Sequence, residues 1–152
     1  MKLSKNLSLS EVIKSNTAIR LGIDNTPTFE HQENLHLIAQ KVFQPLRDHF
    51  DAPILVSSGY RSEALNKAIG GSATSQHSKG EALDLDNDAL VNPSNSDIFY
   101  YIFDWLDFDQ LIWEKGDANN PDWVHVSYKK SGNRNQVLRY NGKNYYQFED
   151  KR

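Results

Sequence analysis

The sequence predicts an α+β fold, a small antiparallel sheet drawn mostly from the second half of the chain and packed with helices. Three observations carry that prediction. Apolar residues recur at helical spacing between residues 30 and 50 and again from Ile98 to Trp105. Short runs with strand-like patterns gather after residue 81, and an Asn141-Gly142 pair sits between two of them in the manner of a hairpin turn. The length of 152 residues, with 38% hydrophobic and 24% charged, suits a single domain over 1–152 with a substantial core.

The elements follow in order. Ser8, with Glu11 three residues on, has the capping-box pattern and opens a short helix through Val12 and Ile13. Leu35, Ile38, Val42, Leu46 and Phe50 then lay one apolar stripe along the main helix. Pro45 is expected to bend or interrupt it, because proline donates no hydrogen bond and crowds the turn before it. Residues 54–57 read as a short β-type run, Gly59 and Tyr60 as a turn, and residues 62–69 as a helix stopped by Gly70 and Gly71. Residues 72–80 are polar and glycine-flanked, hence a loop, and they feed the alternating run 82–86. Ser94 or Asn95 caps a helix carrying Ile98, Tyr101, Ile102 and Trp105. Residues 110–113 and 123–128 read as strands, and 136–140 with 144–148 as the hairpin.

Composition excludes several functions. The net charge of −3 and the lack of a basic stripe interleaved with aromatics argue against nucleic acid as a partner. No apolar stretch approaches the roughly 20 residues of a spanning helix, so no integral membrane segment is expected. The start, MKLSKNLSLSEVIKS, lacks the apolar block of a secretory signal, which predicts synthesis in the cytoplasm. With no cysteine, any metal must be held by His, Asp or Glu. Nothing points to an oligomer, and a monomer is the default.

The five histidines fall into two settings. His31, His36 and His49 lie on or beside the long helix at spacings that do not stack neighbouring imidazoles, and they are read as surface or capping residues. His77 stands in the loop, seven residues ahead of Asp84 on the strand it enters, and His125 lies in a strand beside Trp123 and Ser127. Two imidazoles and one carboxylate suit zinc and leave a fourth position open, as catalytic sites do. On spacing alone, loop polarity explains His77 and Asp84 as well as metal binding does.

Three motifs are more specific. SSGYRS at 57–62, SQHSKGEALD at 75–84 and DWVHVS at 122–127, in that order, resemble the zinc D-Ala-D-Ala carboxypeptidase family of the Hedgehog/DD-peptidase superfamily, which includes cell-wall peptidases of bacteria and phages. The resemblance implies one zinc ion per chain on His77, Asp84 and His125. It makes Asp122 the catalytic carboxylate and Arg61 the cation near the substrate carbonyl. It also implies peptidoglycan stem or cross-bridge peptides as substrate, cut by a carboxypeptidase or an endolysin-type endopeptidase that meets the wall after lysis or on a phage particle. Several members of that family carry Glu at the position of Asp122, and others Asp. Glu114, at the end of QLIWE, is kept as a second candidate base, a strand-end surface charge being its structural explanation. Ser75 and Ser127 are candidate hydrogen-bond donors at the site. Trp123 and Trp113 are candidate cleft walls, with a core role equally open. Gly80 and Ala82 are read as support. A non-catalytic zinc-containing binding module of the same fold is the alternative, and a purely structural metal a third reading.

Overall fold

The computed structural model describes every residue from Met1 to Arg152. The chain opens with an antiparallel ribbon, β1 (Lys2–Ser4) and β2 (Leu7–Ser8), which buries Leu3 and Leu7. Helix α1 (Leu9–Ile13) starts at Ser8, whose backbone N–H donates to the Glu11 carboxylate at 2.7 Å, so the expected capping residues meet. Helix α2 (Asn16–Leu21) follows, closed by Gly22 in the left-handed region. The sequence pattern announces neither the ribbon nor α2, because elements this short are over before a period shows.

The main helix runs from Phe29 to Phe50 without a break, as α3 (Phe29–Ile38), a π-helical turn (Ala39–Phe43) and α4 (Gln44–Phe50). In a regular α-helix the Pro45 ring would press on the Lys41 carbonyl; the wider turn directly ahead of it makes room, so proline adjusts the helix instead of ending it. Leu35, Ile38, Val42 and Leu46 are buried as one stripe, with Phe50 half-buried at its end. No helix is long and apolar enough to cross a membrane.

The remaining elements are β3 (Val56–Ser58), α5 (Glu63–Ala68), a 3-10 turn (Gln76–Lys79), β4 (Ala82–Leu85), α6 (Asn95–Trp105), β5 (Gln110–Glu114), β6 (Trp123–Ser127), β7 (Gln136–Tyr140) and β8 (Tyr145–Gln147). Six strands form one sheet in the order β3-β4-β6-β5-β7-β8. The α+β class holds, but the sheet is mixed: β5 and β7 are parallel, while every other pair is antiparallel. The start of β7 is fastened to the segment before β5, with Asn135 N–H donating to Phe108 O and Gln136 N–H to Asp109 O, both at 2.9 Å. The expected Asn-Gly hairpin joins β7 to β8, and the Asn141 side chain accepts from the N–H groups of Lys143 and Asn144.

Register divides the sheet into two faces. Leu83 pairs with Val126 and Val126 with Leu111; Leu85 pairs with Val124 and Val124 with Trp113. These buried rows pack with Leu35, Ile38, Val42 and Leu46 of the main helix and with Ile98, Phe99 and Ile102 of α6. By the alternation of the pleat, the opposite face carries the rows Asp84–His125–Ile112 and Trp123–Glu114–Tyr140–Tyr145. One sheet thus separates the core from a row of titratable and aromatic side chains.

Candidate metal centre and its cleft

His77 lies on the 3-10 turn that leads into β4. Ser75 caps this turn by accepting from the His77 backbone N–H at 3.2 Å, and Gly80 ends it in the left-handed region, where a Cβ would also meet the His31 carbonyl at 2.5 Å. Only glycine fits there, and the tight exit returns the chain to β4. Asp84 and His125 are direct partners across β4 and β6. The three donor atoms offered by His77, Asp84 and His125 all lie within 4.8 Å of one another. Asp84 Oδ1 stands 3.2 Å from His77 Nε2 and 3.0 Å from His125 Nδ1.

The far nitrogens decide what the near ones can do. His77 Nδ1 is 2.7 Å from the Gly59 carbonyl, which only accepts, so Nδ1 carries the proton and Nε2 turns a lone pair toward Asp84. His125 Nε2 lies 3.3 Å from Gln76 Oε1, which likewise assigns it the proton and leaves Nδ1 bare. Two nitrogen lone pairs and a carboxylate oxygen then face one point with no hydrogen between them. A cation satisfies all three, and this borderline N,N,O donor set fits zinc. Burial alone would raise the Asp84 carboxyl; where the His77 and His125 imidazoles carry a proton and positive charge instead, that charge and their hydrogen bonds overcome it and hold the group well below the usual carboxylate range.

These donors line a cleft of about 590 Å³ together with Arg61, Gln76, Glu114, Trp123, Tyr140 and Tyr145. Glu114 is 7% exposed and shares the site face of the sheet with His125. Its burial, helped by the charge of Asp84 and opposed by His125 and Lys115, pushes its carboxyl up to about 7. Asp122 is placed otherwise. It is exposed, stands just ahead of β6, and does not line the cleft; its backbone N–H is tied to Glu114 O at 2.9 Å. The structure therefore brings His77, Asp84, His125, Arg61 and Glu114 together and leaves Asp122 outside.

Arg61 follows the turn after β3, between anchored neighbours. Its own N–H donates to His77 O at 3.2 Å, and Asn25 accepts from Ser62 N–H at 2.7 Å while donating to the carbonyls of Ile13 and Tyr60. The guanidinium joins none of the chain's ion pairs, and its buried Nε has no protein partner. Burial lowers its pKa against the pull of Asp84, and it remains a cation open to an anion in the cleft.

The two tryptophans divide. Trp113 is 1% exposed, belongs to the core and donates Nε1–H to Asp117 O, while Trp123 lines the cleft with the Lys115 ammonium 5.4 Å from its ring. Ser127 shares the site face with His125 but is buried and accepts from Gln110 N–H, so it braces the strands and does not line the cleft. Sequence reasoning missed Gln76, Asp109, Asn25, Tyr140 and Tyr145. Gln76 alone carried a signal, its place between Ser75 and His77; the others reach the site through long-range pairing that no local pattern encodes.

The peptidase M15 family model matches residues 5–127, a span that holds every residue placed around the metal centre except Tyr140 and Tyr145. Comparison with curated proteins gives no match.

Proposed function

Since the chain belongs to the peptidase M15 family of zinc peptidases, we propose that it hydrolyses a peptide bond in peptidoglycan stem or cross-bridge peptides, with His77, Asp84 and His125 holding zinc and Glu114 carrying the proton. The observation behind this reading is the meeting, in one cleft, of three converging lone-pair donors, a buried carboxyl and an unpaired guanidinium. The substrate class rests on the motif resemblance, and the acid-base assignment on the geometry.

Zinc, when bound, supplies a Lewis acid that polarises the scissile carbonyl and makes a water more acidic. The other steps belong to the chain. Glu114 accepts the proton of the attacking water and passes it to the departing amine, a two-way transfer favoured by a carboxyl whose pKa lies near neutrality. Arg61 meets the negative charge that develops on the carbonyl oxygen, or grips a substrate carboxylate in a two-point fork. Trp123, Tyr140 and Tyr145 offer flat faces along which a peptide can lie. Asp122, exposed ahead of β6, does not line that cleft.

Mass spectrometry of purified muropeptides incubated with the zinc-loaded protein tests the proposal. Products whose masses sum to substrate plus one water are expected, and they identify the bond and whether the cut is terminal or internal. Intact muropeptides with zinc in place would favour the binding module instead.

A further inference from the structure

Gln76 is the side chain between His125 and a buried carboxylate, and what fixes the orientation of its amide lies beyond the metal centre. Its Oε1 lies 3.3 Å from His125 Nε2, and its Nε2 donates to Asp109 Oδ2 at 2.8 Å. Asp109 is fully buried and gathers three further donors, all from Arg134: the backbone N–H at 3.1 Å, Nε at 3.0 Å and an outer guanidinium nitrogen at 2.8 Å. Those bonds, that of the Arg134 side chain foremost, keep the Asp109 carboxyl below its ordinary range and hence ionised.

The polarity of this chain is determined from one end. Arginine only donates and an ionised carboxylate only accepts, so Asp109 must receive the amide N–H₂ of Gln76. The Gln76 amide therefore cannot flip, and its oxygen must face His125. An oxygen there requires a proton on Nε2, so the neutral ring carries none on Nδ1.

We propose that Gln76, locked by Asp109 and Arg134, is a positioning residue that holds His125 in the one tautomer whose Nδ1 can bind metal. The inference rests on the zinc-site reading, but not on peptide hydrolysis. Arg134 and Asp109 lie beside β5 and β7, so the segment that fastens these strands also sets the protonation pattern of a ligand on β6.

The test reads zinc affinity by competition with a chelating dye, and the visible spectrum of the cobalt-substituted protein, in Gln76→Met and Gln76→Glu. Methionine has similar length and no amide; it is expected to weaken zinc binding roughly 10- to 100-fold and to alter the cobalt bands. Glutamate keeps an acceptor for His125 but gives up the donor to Asp109 and sets two carboxyl groups side by side, so its zinc affinity is expected to fall between those of the parent and Gln76→Met. Long-range proton–nitrogen NMR of the zinc-loaded parent gives a check free of any substitution, in which His125 must show a protonated Nε2 and a metal-bound Nδ1. Parental affinity and spectrum in a folded Gln76→Met, or an Nδ1-protonated His125 in the parent, overturns the inference while leaving the zinc site standing. Failure of the parent to bind zinc overturns the site itself. Loss of muropeptide cleavage with these metal readouts intact bears only on the proposed reaction.

Discussion

At the scale of single residues, two carboxylates separate on geometry. Glu114 shares the site face with His125 and lines the cleft, whereas Asp122 sits exposed ahead of β6 and does not line it. Glu114→Gln is expected to keep zinc and lower kcat/KM by about 10²- to 10⁴-fold, the usual contribution of a general acid-base group. Asp122→Asn is expected to stay within about 3-fold of the parent, a change far below that contribution. Measuring both on one muropeptide decides the matter, and a collapse in Asp122→Asn with a normal Glu114→Gln would return the role to Asp122. His77→Ala should lose zinc itself, read by metal analysis. The meeting of His77, Asp84 and His125 was legible through the motifs SQHSKGEALD and DWVHVS, since spacing alone leaves loop polarity an equal account of the first two. The standing of Glu114 was not, since it depends on pairing with Trp123 and on burial by the neighbouring strands.

At the scale of elements, the approach of α1 to the end of β3 shows how narrow the tolerances are. Tyr60 N–H donates to Val12 O at 2.7 Å, and a Cβ on Gly59 would stand 2.4 Å from that same oxygen. Gly59→Ala is therefore expected to cost about 1–3 kcal/mol in denaturant unfolding, the range for forced overpacking. It should also weaken zinc binding, because the Gly59 carbonyl orients His77. Long helices were readable from their apolar period, and the hairpin from Asn141 and Gly142. The parallel placement of β7 was not, because a strand's sequence carries its face and length but not the direction of its neighbour. The π-helical turn was half visible: Pro45 signalled a disturbance, and only the packing of the stripe on both sides shows that the helix survives it.

At the scale of the molecule, the core and the metal centre occupy opposite faces of one sheet, which makes them thermodynamically distinct. A chelator is expected to lower the melting temperature but leave the far-ultraviolet circular dichroism unchanged, since the apolar rows do not include the ligands. Zinc at 100 times its Kd should restore about 2.7 kcal/mol. The metal-free protein has a further signature. Glu114 goes from an ordinary value near 4.5 in the unfolded chain to about 7 when folded. Below 4.5 both states hold the proton; between these values only the folded one does, so stability falls as pH rises and the loss, on the order of 3 kcal/mol, is complete above about 7. Calorimetry from pH 5 to 8 should show this slope in the parent and a flatter profile in Glu114→Gln.

The fastening of β7 at Asn135 and Gln136 has a consequence for what the cleft displays. In the observed alignment Tyr140 stands next to Glu114 on the cleft side, and Arg139 lies over Trp113 on the other, 5.8 Å from its ring. A slip of one residue would exchange them and turn an aromatic wall into a cationic one with no change of sequence. The bonds ahead of β7 thus work as a ruler, and what they measure out is which side chain the cleft displays.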